Sequence, residues 1–285
     1  MKKLKAVFIM VLLLVSALSL YFLFSPRYKG TIPTHKISKI GYVEHVNVTV
    51  LVDNNPYLDL KSPWGISLYL ETKDLRILFD AGPDPDALRI NAEKLGINLE
   101  LLDFIVISHE HGDHVLGLEY IAKLDRNLTV YVPKHMSASC KVWIKNLGFK
   151  VVEVDATRMI DEGVSIIGEL HGPPYEQALA VNVKDVGLII LVGCSHPGVD
   201  KIITKAMNDL NREPYAVIGG FHLFGARREE MKSIAKNLME SGLEKVYPIH
   251  CSGDDFRKLF EEKYPEAYGD GHVGLMLSFY GQGHK

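Results

Sequence analysis

Cysteine is scarce in this chain, and the few copies lie far apart. Cys140, Cys194 and Cys251 are the only three among 285 residues. They are too few and too scattered for a disulfide framework, and an odd number leaves at least one thiol unpaired within the chain. An excess of one charge is also missing. The 32 Lys and Arg stand against 35 Asp and Glu, for a formal net charge of -3. Nothing here supplies the basic stripe that nucleic-acid binding uses, so the expected partner is a small-molecule substrate rather than nucleic acid. Repeats and low-complexity stretches are absent too, which excludes solenoids and arrays.

A long apolar run occurs only at the start. Lys2, Lys3 and Lys5 precede an uncharged segment, residues 6–24, that ends at Ser25-Pro26-Arg27. Nineteen residues at about 1.5 Å each just span the hydrocarbon of a bilayer. A cleaved signal has the same order but a shorter apolar core and a small-residue cleavage site. The one candidate here, Ala17-Leu18-Ser19, is buried in the run. Residues 1–25 are therefore expected to be an N-terminal transmembrane helix, an anchor or uncleaved signal, with 26–40 as linker and 41–285 as one domain. The lysines favour an extracytoplasmic domain, although Arg27, Lys29, Lys36 and Lys39 on the other flank reduce the asymmetry.

The domain begins strand-like at 46–52, 66–70 and 76–79, the last ending at the turn signal Asp80-Ala81-Gly82-Pro83. Helices are expected over 86–95, 114–124, 198–210, 227–240 and 253–262. Strands are expected at 104–108, 128–132, 150–154, 178–183, 187–192, 214–219, 244–248 and 273–279. Hairpin-like strands followed by alternating units indicate an α/β (α+β) domain of mixed sheets covered by helices.

The strongest chemical signal is Ser108-His109-Glu110-His111-Gly112-Asp113-His114, between an apolar strand and a helical pattern. In extended chain, residues two apart face one side, so His109 and His111 converge while Glu110 points away. Asp113 and His114 fall at the turn into the helix and face a second point nearby. Imidazole and carboxylate are the ligands of zinc, with iron and manganese as alternatives, so one or two divalent ions are expected.

As H-x-H-x-D-H, these residues resemble the signature of the metallo-β-lactamase fold superfamily. The resemblance implies an αββα sandwich with a metal centre, often dinuclear, at one edge, and gives Asp80 the role of supporting that centre. Five further blocks resemble a branch of archaeal synthases that act in methanopterin synthesis on a ribofuranosylaminobenzene phosphate and a dihydropterin. They are Thr49-Val50-Leu51-Val52-Asp53-Asn54, Glu176-Gln177-Ala178-Leu179, Gly193-Cys194-Ser195-His196-Pro197-Gly198, Ile218-Gly219-Gly220-Phe221-His222-Leu223 and His250-Cys251-Ser252-Gly253.

On this resemblance His250 joins Asp113 and His114 at a second metal. His196, after the buried-type strand 188–193, is favoured as third ligand of the first metal, with His171 as its rival. Cys194 stands where the superfamily more often has a bridging aspartate, and both a ligating thiolate and an inert buried cysteine remain open. Asp113 and His222 are the candidate catalytic residues; His222 follows a glycine pair that permits close backbone approach. Asn54 and Glu176 are the candidate substrate-binding residues.

Hydrolysis of an ester, amide or phosphoester by metal-activated water is the default function. Pterin-related synthesis is the alternative that the branch implies. A non-enzymatic metal-binding or sensory domain at the membrane is the third reading.

Overall fold

A computed structural model describes residues 36–281 except 38 and 126. The expected anchor and most of the expected linker lie outside the described residues. Among the described residues, no helix is long and apolar enough to cross a membrane. All of them belong to the compact unit Thr34–Lys285.

Thirteen strands form two sheets. The first contains β1 (His45–Val52), β2 (Ser67–Glu71), β3 (Arg76–Phe79), β4 (Phe104–Val106), β5 (Thr129–Pro133), β6 (Lys150–Val154) and β13 (Met276–Tyr280), in the order β13-β1-β2-β3-β4-β5-β6. The second contains β7 (Arg158–Asp161), β8 (Val164–His171), β9 (Tyr175–Val183), β10 (Gly187–Val192), β11 (Pro214–Gly219) and β12 (Lys245–Pro248), in the order β12-β11-β10-β9-β8-β7. Each sheet is part antiparallel and part parallel. Strands β3 to β6 run parallel, and so do β10 to β12.

The strand sequences account for the stacking. In β10, Ile189 and Leu191 face the first sheet and join Val48, Leu68 and Phe79 in the central core. The alternate residues Leu188, Ile190 and Val192 face the other way. There they are covered by α5 (Val199–Leu210), α6 (Arg228–Glu240) and α7 (Asp254–Lys263). A strand buried on both faces reads as an unbroken apolar run, as β10 does. On the opposite side, α1 (Pro85–Lys94), α3 (Leu118–Leu124) and α4 (Ala138–Asn146) cover Leu78, Ile105 and Val130 of the first sheet. The layers are therefore helix, sheet, sheet, helix.

The expected helix over 114–124 is in fact two, α2 (Gly112–Val115) and α3. The break is at Gly117, whose N–H donates to Gly82 O at 3.0 Å instead of into the helix. A Cβ at Gly117 would sit 1.9 Å from Ala81 O, so this close approach to the end of β3 requires glycine. Three elements add to those expected from the sequence. Helix α4 buries only Ile144 fully, which leaves little periodicity to read. The β7–β8 hairpin is obscured because β8 shifts register between Ile167 and Leu170, disrupting the alternation on which strand recognition depends.

Candidate metal centre

The candidate residues collect where parallel strands end, on turns whose backbone is unusually constrained. Asp80 follows β3, Ser108 and His109 follow β4, Cys194 and Ser195 follow β10, His222 follows β11 and His250 follows β12. Asp80, Ser195, His222 and His250 all have positive φ, between 51° and 60°. Each such residue costs on the order of 1–3 kcal/mol and persists only where surrounding contacts over-determine it.

Asp80 organises the first loop. Its buried carboxylate accepts hydrogen bonds from Ser108 N at 2.7 Å, Ser108 Oγ at 2.6 Å and His114 Nδ1 at 2.7 Å. Burial pushes this carboxyl above the usual carboxylate range despite the adjacent His114. Ser108 Oγ donates to Asp80 and so accepts from His109 Nδ1, 2.9 Å away. With both Nδ1 atoms held, His114 and His109 present Nε2 to the cluster. His109 Nε2 lies 3.1 Å from His111 Nδ1. Burial, reinforced by His114 and His196, holds the His109 imidazole well below its ordinary pKa, which keeps it in the neutral form that ligates.

Matching supports come from the second sheet at Glu176 and from the end of β1 at Asp53 and Asn54. Glu176, at the start of β9, is 1% exposed. It accepts from His196 Nδ1 at 2.9 Å and from the backbone N–H groups of Ser195 and His196 at 2.7 and 2.9 Å. Burial opposes its ionisation, but these hydrogen bonds keep Glu176 below the usual carboxylate range. Asn54 Oδ1 accepts from His250 Nδ1 at 2.9 Å, and Asp53 accepts from the His250 backbone N–H at 2.8 Å. His250 Nε2 therefore points at Asp113 Oδ2, 3.3 Å away. Burial would raise Asp113, but the His250 hydrogen bond and the neighbouring imidazoles hold it at about 2.

Cys194 is at the centre of this arrangement. Its Sγ lies 3.3 Å from His114 Nε2 and 3.4 Å from His250 Nε2. One set of mutually close donor atoms comes from Asp113, His114, Cys194 and His250, a second from His109, Cys194 and His196, and a third from Cys194, His222 and Cys251. Gly193 makes this convergence sterically feasible, since a Cβ there would fall 2.1 Å from Ser108 Oγ. The donor set of imidazole nitrogen, carboxylate oxygen and one sulfur fits a borderline divalent ion.

The expected site residues thus have definite positions. His109, His111, Asp113, His114, His196 and His250 come together in one cluster, and His111 ring-packs against His109 and His196 at 4.7 and 4.9 Å. His222 is exposed beside them, its ring 4.4 Å from that of His196. His171 is elsewhere, packed on Tyr175. Glu110 does point away, accepting from Ser137 N at 2.6 Å. The two substrate-binding candidates both hydrogen-bond to histidines of the cluster. Glu176 is sealed behind His196 and has no face toward a substrate. Asn54 lines the adjacent cavity, yet its side chain is committed to His250. Both act as positioning residues, holding ligand histidines by their far nitrogen. Asp53 and Ser108 belong to the same group and escape sequence reasoning; their only signal in the chain is adjacency to Asn54 and His109.

A cavity of about 580 Å³ opens beside His250, lined among others by Tyr57, Trp64, Phe224, Arg257 and His272.

Residues 75–178 match the family described as beta-lactamase superfamily domain. That stretch, from the start of β3 into β9, is the part of the chain that resembles the superfamily. Along most of its length the chain is similar to a 7,8-dihydropterin-6-methyl-4-(beta-D-ribofuranosyl)-aminobenzene-5'-phosphate synthase of Methanocaldococcus jannaschii, 28% identical over 85% of this chain and 100% of that one. Among solved structures, Tm1679, a metal-dependent hydrolase of the beta-lactamase superfamily, aligns with TM-score 0.70 and 25% identity over 82% of this chain and 99% of its own. The short form of human tRNase Z shares the fold, with TM-score 0.57 and 16% identity over 81% and 98% of the two chains. These relatives are enzymes, and Tm1679 is a metal-dependent one.

Proposed function

We propose that this protein is a metal-dependent hydrolase acting on an ester, amide or phosphoester. One ion would be held by His109, His111 and His196 and a second by Asp113, His114 and His250, with Cys194 between them. The observation that carries the reading is the placement of Cys194 Sγ within 3.4 Å of two imidazole nitrogens whose opposite nitrogens are already fixed. When bound, a divalent ion there supplies Lewis acidity and lowers the pKa of a coordinated water. The hydrogen bond with Cys251 and burial both raise the Cys194 thiol, so its function as a thiolate ligand depends on the cation itself. That sulfur favours zinc or iron over manganese.

The protein's own groups orient the reaction. Asp113, ionised and half-buried, accepts a hydrogen bond from attacking water and holds it on the cavity side of the cluster. His222, exposed at the cluster's edge, is placed to meet a leaving group. Its hydrogen bond to Cys251 raises its pKa, although burial opposes this. Purified full chain loaded with zinc should hydrolyse at least one member of a panel of lactones, thioesters, phosphomonoesters and phosphodiesters. Replacing His109→Ala and His114→Ala together should abolish both bound metal and turnover; hydrolysis that survives would sink the reading.

A second reading, pterin-related synthesis, draws on similarity to the M. jannaschii synthase over nearly the whole domain. Condensation of ribofuranosylaminobenzene phosphate with a dihydropterin would favour it over hydrolysis. For residues 1–25, the lysine cluster and apolar run support a membrane anchor with the domain outside. Carbonate extraction and protease accessibility of intact cells test this, and a freely extractable chain would refute it.

A further inference from the structure

The cavity beside His250 is walled by aromatic rings that core packing does not explain. Among the described residues, the exposed aromatic side chains are Tyr42, Tyr57, Trp64, Phe224 and Tyr280. Tyr42 lies beneath the Lys184 ammonium and Tyr280 stacks on His45, and neither lines the cavity. The other three all line it, with Phe224 71% exposed and Trp64 and Tyr57 48% and 47%. Large rings left in water around one concavity mark a surface that is covered in use.

Their arrangement is specific. Trp64 meets Phe224 edge-on at 5.7 Å and the His250 ring at 5.1 Å. Across the cavity, Tyr57 stacks on His272 at 4.1 Å, with 26° between the planes. Each wall is tied to the metal cluster or to its supports. Beside Trp64, Ile66 N donates to Asp113 O at 3.2 Å, and a Cβ on Gly65 would fall 2.5 Å from that same oxygen. Phe224 N donates to Cys251 O at 3.0 Å. His272 is held because Val273 N donates to Asn55 O, while Arg257 donates to Asp270 Oδ1 and Gly271 O. Arg257 also faces Asp254 at 3.7 Å. Its charge is thus balanced by two carboxylates, while its buried Nε has no hydrogen-bond partner. Both hydrogens of the Asn55 amide are spent on Asp53 and Gly271 O, which leaves its oxygen as the polar group it offers a ligand.

We propose that this cavity selects substrates bearing an uncharged planar aromatic or heteroaromatic ring. The ring is held between the Trp64–Phe224 pair and the Tyr57–His272 stack, with the hydrolysable group directed toward His250. The inference rests on the hydrolase reading for what happens to the group, but not for how the ring binds. A volume of about 580 Å³ accommodates a bicyclic ring and its linkage. Rings prefer offset or edge-to-face contact, the two geometries these walls present.

The test uses the zinc-loaded full chain, ¹⁵N-labelled, and follows its indole N–H resonances, since Trp64 and Trp143 are the only tryptophans. The probes are 2-naphthamide and, as a saturated control without charge, cyclohexanecarboxamide. 2-Naphthamide should shift the Trp64 signal and leave Trp143 in place, while the control shifts neither. Trp64→Leu should weaken 2-naphthamide binding about tenfold, whereas Trp64→Phe, which keeps a ring, should stay within about threefold. In turnover, Trp64→Leu should raise KM for an aryl substrate about tenfold relative to its cyclohexyl analogue and change kcat little. Tyr280→Ala should leave both measures unchanged. Equal binding of the two amides, or unchanged 2-naphthamide binding in Trp64→Leu, overturns the proposal. Because the resonance shift requires no turnover, a chain that hydrolyses nothing refutes the hydrolase reading while the binding result still decides this one.

Discussion

The two halves of the candidate metal centre share Cys194 but differ in donor charge and in burial. In the half formed by Asp113, His114 and His250, both imidazoles are buried and the third donor is an ionised carboxylate. A further carboxylate, Asp80, lies directly behind His114. In the other half, His109 is buried, His111 is exposed and His196 is half-buried; all three donors are imidazoles, and Glu176 lies behind His196 much as Asp80 lies behind His114. The donor carboxylate of Asp113 favours a cation on the first side, while solvent access favours exchange on the second. The asymmetry teaches that the halves are not equivalent, with Cys194 as the element they share.

Four experiments would break or sharpen that comparison. The largest effect belongs to Asp80→Asn, which removes a buried charge partner from His114. Stability should fall by about 3–5 kcal/mol in chemical denaturation, with metal lost first from the Asp113 side. Equal loss from both halves would show that they behave as one site. Next, Cys194→Ala should lower affinity in both halves about 10–100-fold, and Cys194→Asp should restore two metals per chain by elemental analysis. If Cys194→Ala affects one half only, the cysteine belongs to that half alone. Glu176→Gln should be milder, about tenfold in metal affinity and confined to the His196 half, because Gln still accepts from the imidazole but without charge. Smallest is stepwise chelation of the unaltered protein, in which the first ion should leave with little change in melting temperature and the second with a marked drop.

Legibility of the centre in the chain depends on sequence distance. His109 to His114 are contiguous and announce themselves. His250 and His196 are recoverable because each ends an apolar run, a pattern that locates strand ends. Asn54 and Glu176 stand out in the sequence, but their hydrogen bonds to His250 and His196 do not. Sequence adjacency cannot distinguish a residue facing a ligand from one bracing a histidine, since that difference depends on which way the side chain leaves its strand. Asp53, Ser108 and the aromatic cavity wall have no pattern to betray them. In the fold, α4 and the β7–β8 hairpin are hidden for the same kind of reason: one buries too little, and the other carries a bulge that breaks its period.

The pair Asn54–His250 joins residues 196 positions apart, and β13, the final strand, closes against β1. In folding terms the centre is a late event, because loop closure over such separations precedes any gain from the contact. A nascent chain carries His109 to His114 well before the strand ends that complete the set have emerged. Full coordination therefore reports that the chain has been synthesised past His250 and that both sheets have closed. Metal retention then doubles as a measure of complete folding.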